Sequence, residues 1–150
     1  MIVYRLTLPQ YSSDLSGIGA SMYGGRWNSI GNFILYTAQS SSLSILEHLV
    51  HMHGAKNDSK YLLSIIDIGD SIVQKVDSPF AEVSSQKVTQ AAGDNWLSSK
   101  ASPILKVPSI INPLESNYLI NPNHLGLSIE IKNQEWFIYD DRLLKNTKID

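Results

Sequence analysis

The order in which strand-like and helix-like apolar patterns follow one another constrains this chain most. Apolar alternation with β-branched or aromatic enrichment marks strands near residues 2–6, 33–37, 61–68, 104–107, 127–132 and 135–139. Helical spacing marks 42–53 and about 84–99, where Gly93 weakens the second as an isolated helix. Strand, strand, helix, strand, helix and then strands is not the regular alternation of a doubly wound parallel sheet. It predicts an α+β fold of mixed sheets with helices. "IKNQEWFIY" predicts that the last two strands form a hairpin around Asn133 and Gln134. With 150 residues and no internal repeat, low-complexity tract or Pro/Gly-rich linker, the chain reads as one domain, 1–150.

Charge and composition exclude several classes of function. A net charge of −2 argues against a nucleic-acid binder, because gripping phosphates at useful salt needs a clustered basic surface. The longest apolar run, "YLLSIIDI", is broken by Ser64 and Asp67 and falls far short of the roughly 20 residues that span a bilayer. The chain has no cysteine, which removes disulfide and thiol chemistry and fits a reducing compartment. Its start, "MIVYRLTLPQ", alternates like a strand and shows no secretion signal, so a cytoplasmic location is expected. Of twelve basic residues only Arg5, Arg26 and Arg142 are arginine, the side chain suited to a two-pronged grip on carboxylate or phosphate.

Three stretches carry candidate chemistry. In "SLSILEHLVHM" the apolar residues spread over half the helix circumference, while Ser44, Glu47, His48 and His51 share one stripe, which favours a cleft over bulk water. Glu47 also fits a capping box with Ser44, although Ser41 or Ser42 makes the better cap. A metal reading of Glu47, His48, His51 and His53 lacks H-E-x-x-H spacing and a second ligand cluster. "GGRWNSIGNFILYTA" places Arg26 and Trp27 after two glycines, a loop shaped for close approach around something near Arg26. In "LKVPSIINP", Pro108 stops a strand and leaves Ser109 at its end, a position that equally suits a turn hydroxyl. Asn112-Pro113 and Asn121-Pro122 read as turns. "GIGASM" lacks the third glycine of a dinucleotide-binding fingerprint, and "SSQK" lacks the motifs that accompany S-x-x-K in serine acylases.

"YRL" (4–6), "LSGIGASMYGGRWNSIGNFILYTAQSSSLSILEHLVH" (15–51), "GDNWL" (93–97), "LKVPSIINPLESNYLINPNH" (105–124) and "YDDRL" (139–143) together resemble the RES domain of bacterial toxin–antitoxin pairs. The segment 69–85 departs from the family pattern. The resemblance implies a fold similar to ADP-ribosyltransferases and cleavage of the nicotinamide–ribose bond of NAD by hydrolysis or phosphorolysis, NAD being a consumed substrate rather than a resident cofactor. It maps the family's arginine, glutamate and serine onto Arg26, Glu47 and Ser109, and places Tyr36, Arg5, Gly25 and Asn28 in the substrate site. Arg26 and free N–H groups of the flanking glycines are expected on the diphosphate, Glu47 on the ribose, Tyr36 against nicotinamide or the ribose edge, and Ser109 on the amide or a ribose hydroxyl. An Xre-like helix-turn-helix antitoxin and a homodimer are the implied partners. Transfer of ADP-ribose to a protein and a non-catalytic partner-binding module are the alternatives; an RNA-cleaving toxin fits neither the acidic balance nor the histidine arrangement.

Overall fold

The computed structural model describes residues 1–52, 59–76 and 83–145. Its elements run β1 (Ile2–Thr7), a 3-10 turn (Pro9–Tyr11), α1 (Ile18–Tyr23), β2 (Leu35–Ala38), α2 (Ser41–His51), β3 (Tyr61–Asp67) and β4 (Val73–Lys75). There follow α3 (Gln86–Ser99), β5 (Ile104–Pro108), β6 (Ser116–Ile120), β7 (Glu130–Phe137) and α4 (Asp141–Lys145). Among the described residues the strands form one seven-stranded sheet in the order β4-β5-β6-β2-β1-β3-β7. Only the β4–β5 pair is parallel. The mixed α+β architecture is the one that the irregular order of patterns predicts.

Period-two alternation distributes the core over the two faces of the sheet. Ile104, Tyr118, Ile120, Leu35, Val3 and Ile66 pack together on one face. Their neighbours along the strands, Leu105, Val107 and Leu119, point the other way and meet Trp27 and Trp96 under α3. Further along the sheet, Leu6 and Tyr61 pack with Tyr139 and with Ile45, Leu49 and Met52 of α2. Both helices therefore cover one face, and the space left between them is where a cleft can open.

The predicted hairpin does not form. Residues 130–137 are one continuous strand paired to β3, with Ile65 opposite Asn133 and Ile66 opposite Ile131. Lys132 is the extra residue of a β-bulge, which shifts the alternation by one and mimics a turn in the sequence pattern. Gln134, expected in that turn, instead donates from its amide to the Ser64 hydroxyl at 3.0 Å and to the Ser12 carbonyl at 3.1 Å. Four further elements among the described residues escaped prediction: α1, the short edge strand β4, the final helix α4, and β6, whose flanking Asn-Pro turns mask its apolar run "YLI". Those turns are real, since Asn112 Oδ1 accepts from Leu114 N–H and Asn121 Oδ1 from Asn123 N–H.

Gly93 sits in the middle of α3 because a side chain there has no room: a Cβ would lie 1.7 Å from the carbonyl oxygen of Trp27. The helix backbone rests directly on the backbone of the 24–32 loop, at a propensity cost of about 1 kcal/mol relative to alanine. Gly93→Ala should lower unfolding stability by about 2–3 kcal/mol, as overpacking against a main chain does. Gly19→Ala in α1, where nothing lies within 4 Å of the added carbon, should leave the urea midpoint unchanged or slightly raised. Equal midpoints for the two variants would show that the close approach is absent.

Candidate active site

The loop that carries Arg26 is fixed from three sides. The Tyr36 hydroxyl, rising from β2, accepts from Trp27 N–H at 3.0 Å and donates to Asn28 Oδ1 at 2.7 Å. Burial is the main cause that raises the Tyr36 phenol to about 12, so it remains a donor at any physiological pH. Asn28, fully buried, donates from its amide to the carbonyls of Ala20 and Asn32 at 2.8 and 3.1 Å. Gly25 is required between these partners, because a Cβ would stand 2.7 Å from the Tyr36 hydroxyl oxygen and 2.9 Å from Asn28 Oδ1.

The third side is α3. Gln90 donates to the Gly25 carbonyl at 2.9 Å, and the Thr89 hydroxyl donates to the carbonyl of Arg26. Asp94 accepts from Ser29 N–H at 3.0 Å, from the Ser29 hydroxyl, and from the Asn32 amide at 2.7 Å. Burial pushes the Asp94 carboxyl up, but these hydrogen bonds outweigh it and hold the group below its ordinary value. Thus clamped, the loop directs the Arg26 guanidinium to the carbonyls of Val83 and Ser84, each 3.3 Å from Nη1.

Opposite the loop stands α2. Its N-cap is Ser40, whose hydroxyl accepts from Leu43 N–H at 3.1 Å, so the cap lies one residue before Ser41 and Glu47 takes no part in a capping box. Glu47 Oε1 instead accepts from the Ser109 hydroxyl at 2.8 Å and from the Asn117 amide at 2.7 Å. Ser109 is fully buried just past the end of β5, and its oxygen also accepts from Ile111 N–H and Asn112 N–H at 3.1 and 3.0 Å. One donor and two acceptor sites complete the hydroxyl's capacity. Among the described residues Glu47 Oε2 takes no hydrogen bond.

Between α2 and the loop lies a cleft of about 460 Å³, within the range of small-molecule sites. Its floor on the sheet includes Tyr36 and Leu119, and the whole stripe of Ser44, Glu47, His48 and His51 lines its wall. Of the residues expected in the site, Arg26, Glu47, Tyr36, Arg5 and Gly25 line this one cleft. Ser109 and Asn28 do not; each is bonded to a residue that does. Arg5 donates to the main-chain carbonyls of Asp14 and Tyr11 at 2.9 and 3.2 Å, and burial, partly offset by Asp14, lowers its guanidinium from the ordinary value.

Two expectations need correction. The flanking glycines offer no free N–H donors, because Gly24 N–H is bonded to the Ala20 carbonyl at 2.9 Å and Gly25 N–H to that of Asn28 at 3.0 Å. Ser109 is not open to the amide or a ribose hydroxyl, since its hydroxyl is saturated and buried. His53, part of the metal reading, lies outside the described residues, among which no three acidic or histidine side chains gather at metal-binding distance. Asn117, Thr89, Gln90 and Asp94 were missed as site residues. "GDNWL" was the available signal for Asp94, whereas Asn117 sits on a strand that the sequence pattern hides.

Residues 2–140 match the RES domain family. A curated toxin named Res from Yersinia enterocolitica is 36% identical, over 95% of this chain and 99% of its own length. The Prs ADP-ribosylating toxin of Sphingobium is 34% identical, over 89% of each chain. A chain in the solved Mycobacterium tuberculosis MbcT–MbcA toxin–antitoxin complex has a similar fold, with a TM-score of 0.74 at 20% identity over 91% of this chain and 84% of that one. That likeness agrees with the α+β fold expected from the sequence.

Asp94 gives the loop a pH signature. A carboxyl held below its unfolded value stabilises the fold at pH above that value, and the contribution is lost as pH falls through the folded one. Asp94→Asn, which turns one acceptor oxygen into a donor, should cost about 1–2 kcal/mol at pH 7. The deficit should shrink near pH 3 in urea unfolding; a deficit identical at both pH values would contradict the assignment.

Proposed function

Since the chain belongs to the RES domain family, we propose that it is a toxin that consumes NAD by breaking the bond between nicotinamide and ribose. The observation that carries this reading is the pairing, across one cleft, of a carboxylate tethered through one oxygen, the other taking no hydrogen bond among the described residues, and a guanidinium on a clamped loop. Cleavage expels neutral nicotinamide and leaves positive charge on the ribose, an oxocarbenium-like species. Glu47 Oε2 accepts a ribose hydroxyl and stabilises that charge, while Oε1 stays bound to Ser109 and Asn117. A carboxylate already aimed does this with no reorganisation during the reaction.

Arg26 carries the diphosphate through its forked guanidinium. The Tyr36 ring, its hydroxyl committed to the loop, presents its face to nicotinamide. Ser109 acts through Glu47 as a positioning residue, and Asn28 acts through Tyr36 in the same way. Arg5, anchored to main-chain carbonyls, adds positive charge to the wall. NAD is spent in this scheme, so its loss is what halts growth. The partners are an Xre-like helix-turn-helix antitoxin and a second copy of the chain, and the site of action is the cytoplasm.

The name of the Sphingobium relative favours a second reading, in which the ADP-ribose passes to a protein acceptor. Both share the first bond cleavage and the same use of Glu47 and Arg26. They part at the nucleophile, which mass spectrometry of acceptors incubated with NAD distinguishes from free ADP-ribose.

Glu47→Gln should keep the fold and much of the NAD affinity while slowing nicotinamide release roughly a hundredfold or more, as loss of charge stabilisation confined to the transition state does. Release of nicotinamide from NAD by purified protein is the assay. Unchanged turnover in a folded variant would refute the role of the carboxylate.

A further inference from the structure

His48 stands beside Glu47 in the wall of the cleft, yet nothing in the scheme above employs it. Its Nδ1 lies 2.9 Å from the Tyr139 hydroxyl, which is itself 3.1 Å from the carbonyl oxygen of Ile45. That carbonyl can only accept, so the single proton of the phenol goes to it. The phenol oxygen must then accept from Nδ1–H. In the neutral ring this leaves the lone pair on Nε2, for which no hydrogen bond exists among the described residues. The ring plane is fixed as well, stacked on Tyr139 at 5.8 Å and meeting Tyr61 edge-on at 4.6 Å.

We propose that His48 is the general base of the reaction, taking the proton of the attacking water at Nε2 while Tyr139 holds it in the required tautomer. The inference rests on the NAD-cleaving reading of the same cleft. In the step, the water oxygen bonds to the ribose carbon as the glycosidic bond breaks, and that electron pair leaves with nicotinamide and neutralises its ring nitrogen. The water proton passes to Nε2, and the resulting imidazolium later gives it to solvent. Burial first, and the nearby His51 second, lower the imidazole from its ordinary value, which keeps it neutral and able to accept at neutral pH. Among the described residues, the other titratable groups that line the cleft beside it or touch its ring are Glu47 and His51 on α2, Tyr4 and Arg5 on β1, Tyr61 on β3 and Tyr139 after β7.

The test compares nicotinamide release across pH for the wild type, His48→Gln and Tyr139→Phe, with NAD affinity measured by calorimetry. His48→Gln should lower kcat by about a hundredfold or more and leave NAD affinity within a few-fold. Its acidic limb should move at least about one pH unit lower. Tyr139→Phe should lower kcat with little change in KM. In 15N NMR the unliganded wild type should show His48 as the Nδ1–H tautomer, and Tyr139→Phe should show a mixture. An active wild type in which His48→Gln keeps both its kcat and its acidic limb would overturn the base alone. So would an Nε2–H tautomer, even where that variant fails to fold. A wild type that releases no nicotinamide would overturn the NAD reading and this inference with it.

Discussion

Everything in the cleft depends on how one carboxylate is held. Glu47 rises from a helix that packs Ile45 and Leu49 against the sheet, and a half-buried acid in such a setting persists only if hydrogen bonds replace the water it loses. Two donors from neighbouring strands meet that need, Asn117 within β6 and Ser109 just beyond β5. Both bind the same oxygen, so satisfaction and aim are achieved together: one oxygen is tied to the sheet and the other takes no hydrogen bond among the described residues. The sheet thereby fixes the rotation of a side chain on a helix that crosses it.

The opposite wall follows a different rule. Arg26 sits in a tight turn closed by a lone bridge between Gly25 and Asn28, and its position is enforced by contacts to main chain rather than by packing of its own side chain. Tyr36, Asn28, Gln90, Thr89 and Asp94 each grip the backbone between residues 24 and 32. Gly25 and Gly93 remove the two carbons that would keep those partners apart. A rigid loop costs little further entropy when ligand arrives, which is the physical advantage of building a guanidinium site this way.

Much of this was legible in the sequence, and the illegible parts have identifiable causes. The polar stripe of α2 predicted a cleft-facing wall because helical periodicity is set by local geometry, and all four stripe residues do line the cleft. The two glycines before Arg26 signalled close approach, but local sequence does not say that their N–H groups are consumed within the loop. The role of Ser109 was misjudged for a similar reason: a strand-end hydroxyl looks available until the helix that occupies it is placed. Residues 127–139 failed as a hairpin because a bulge at Lys132 shifts alternation just as a turn would. Asn117 was invisible because its strand is short and bracketed by turns.

The central claim is that a single NAD spans the cleft, from the carboxylate on α2 to the guanidinium on the loop. A crystal structure of the Glu47→Gln variant soaked with NAD tests it most directly. The account predicts the nicotinamide ribose within hydrogen-bonding distance of the side chain at position 47, the diphosphate on Arg26 and the nicotinamide ring against Tyr36. NAD bound elsewhere on the molecule, or its diphosphate turned away from Arg26, would contradict it.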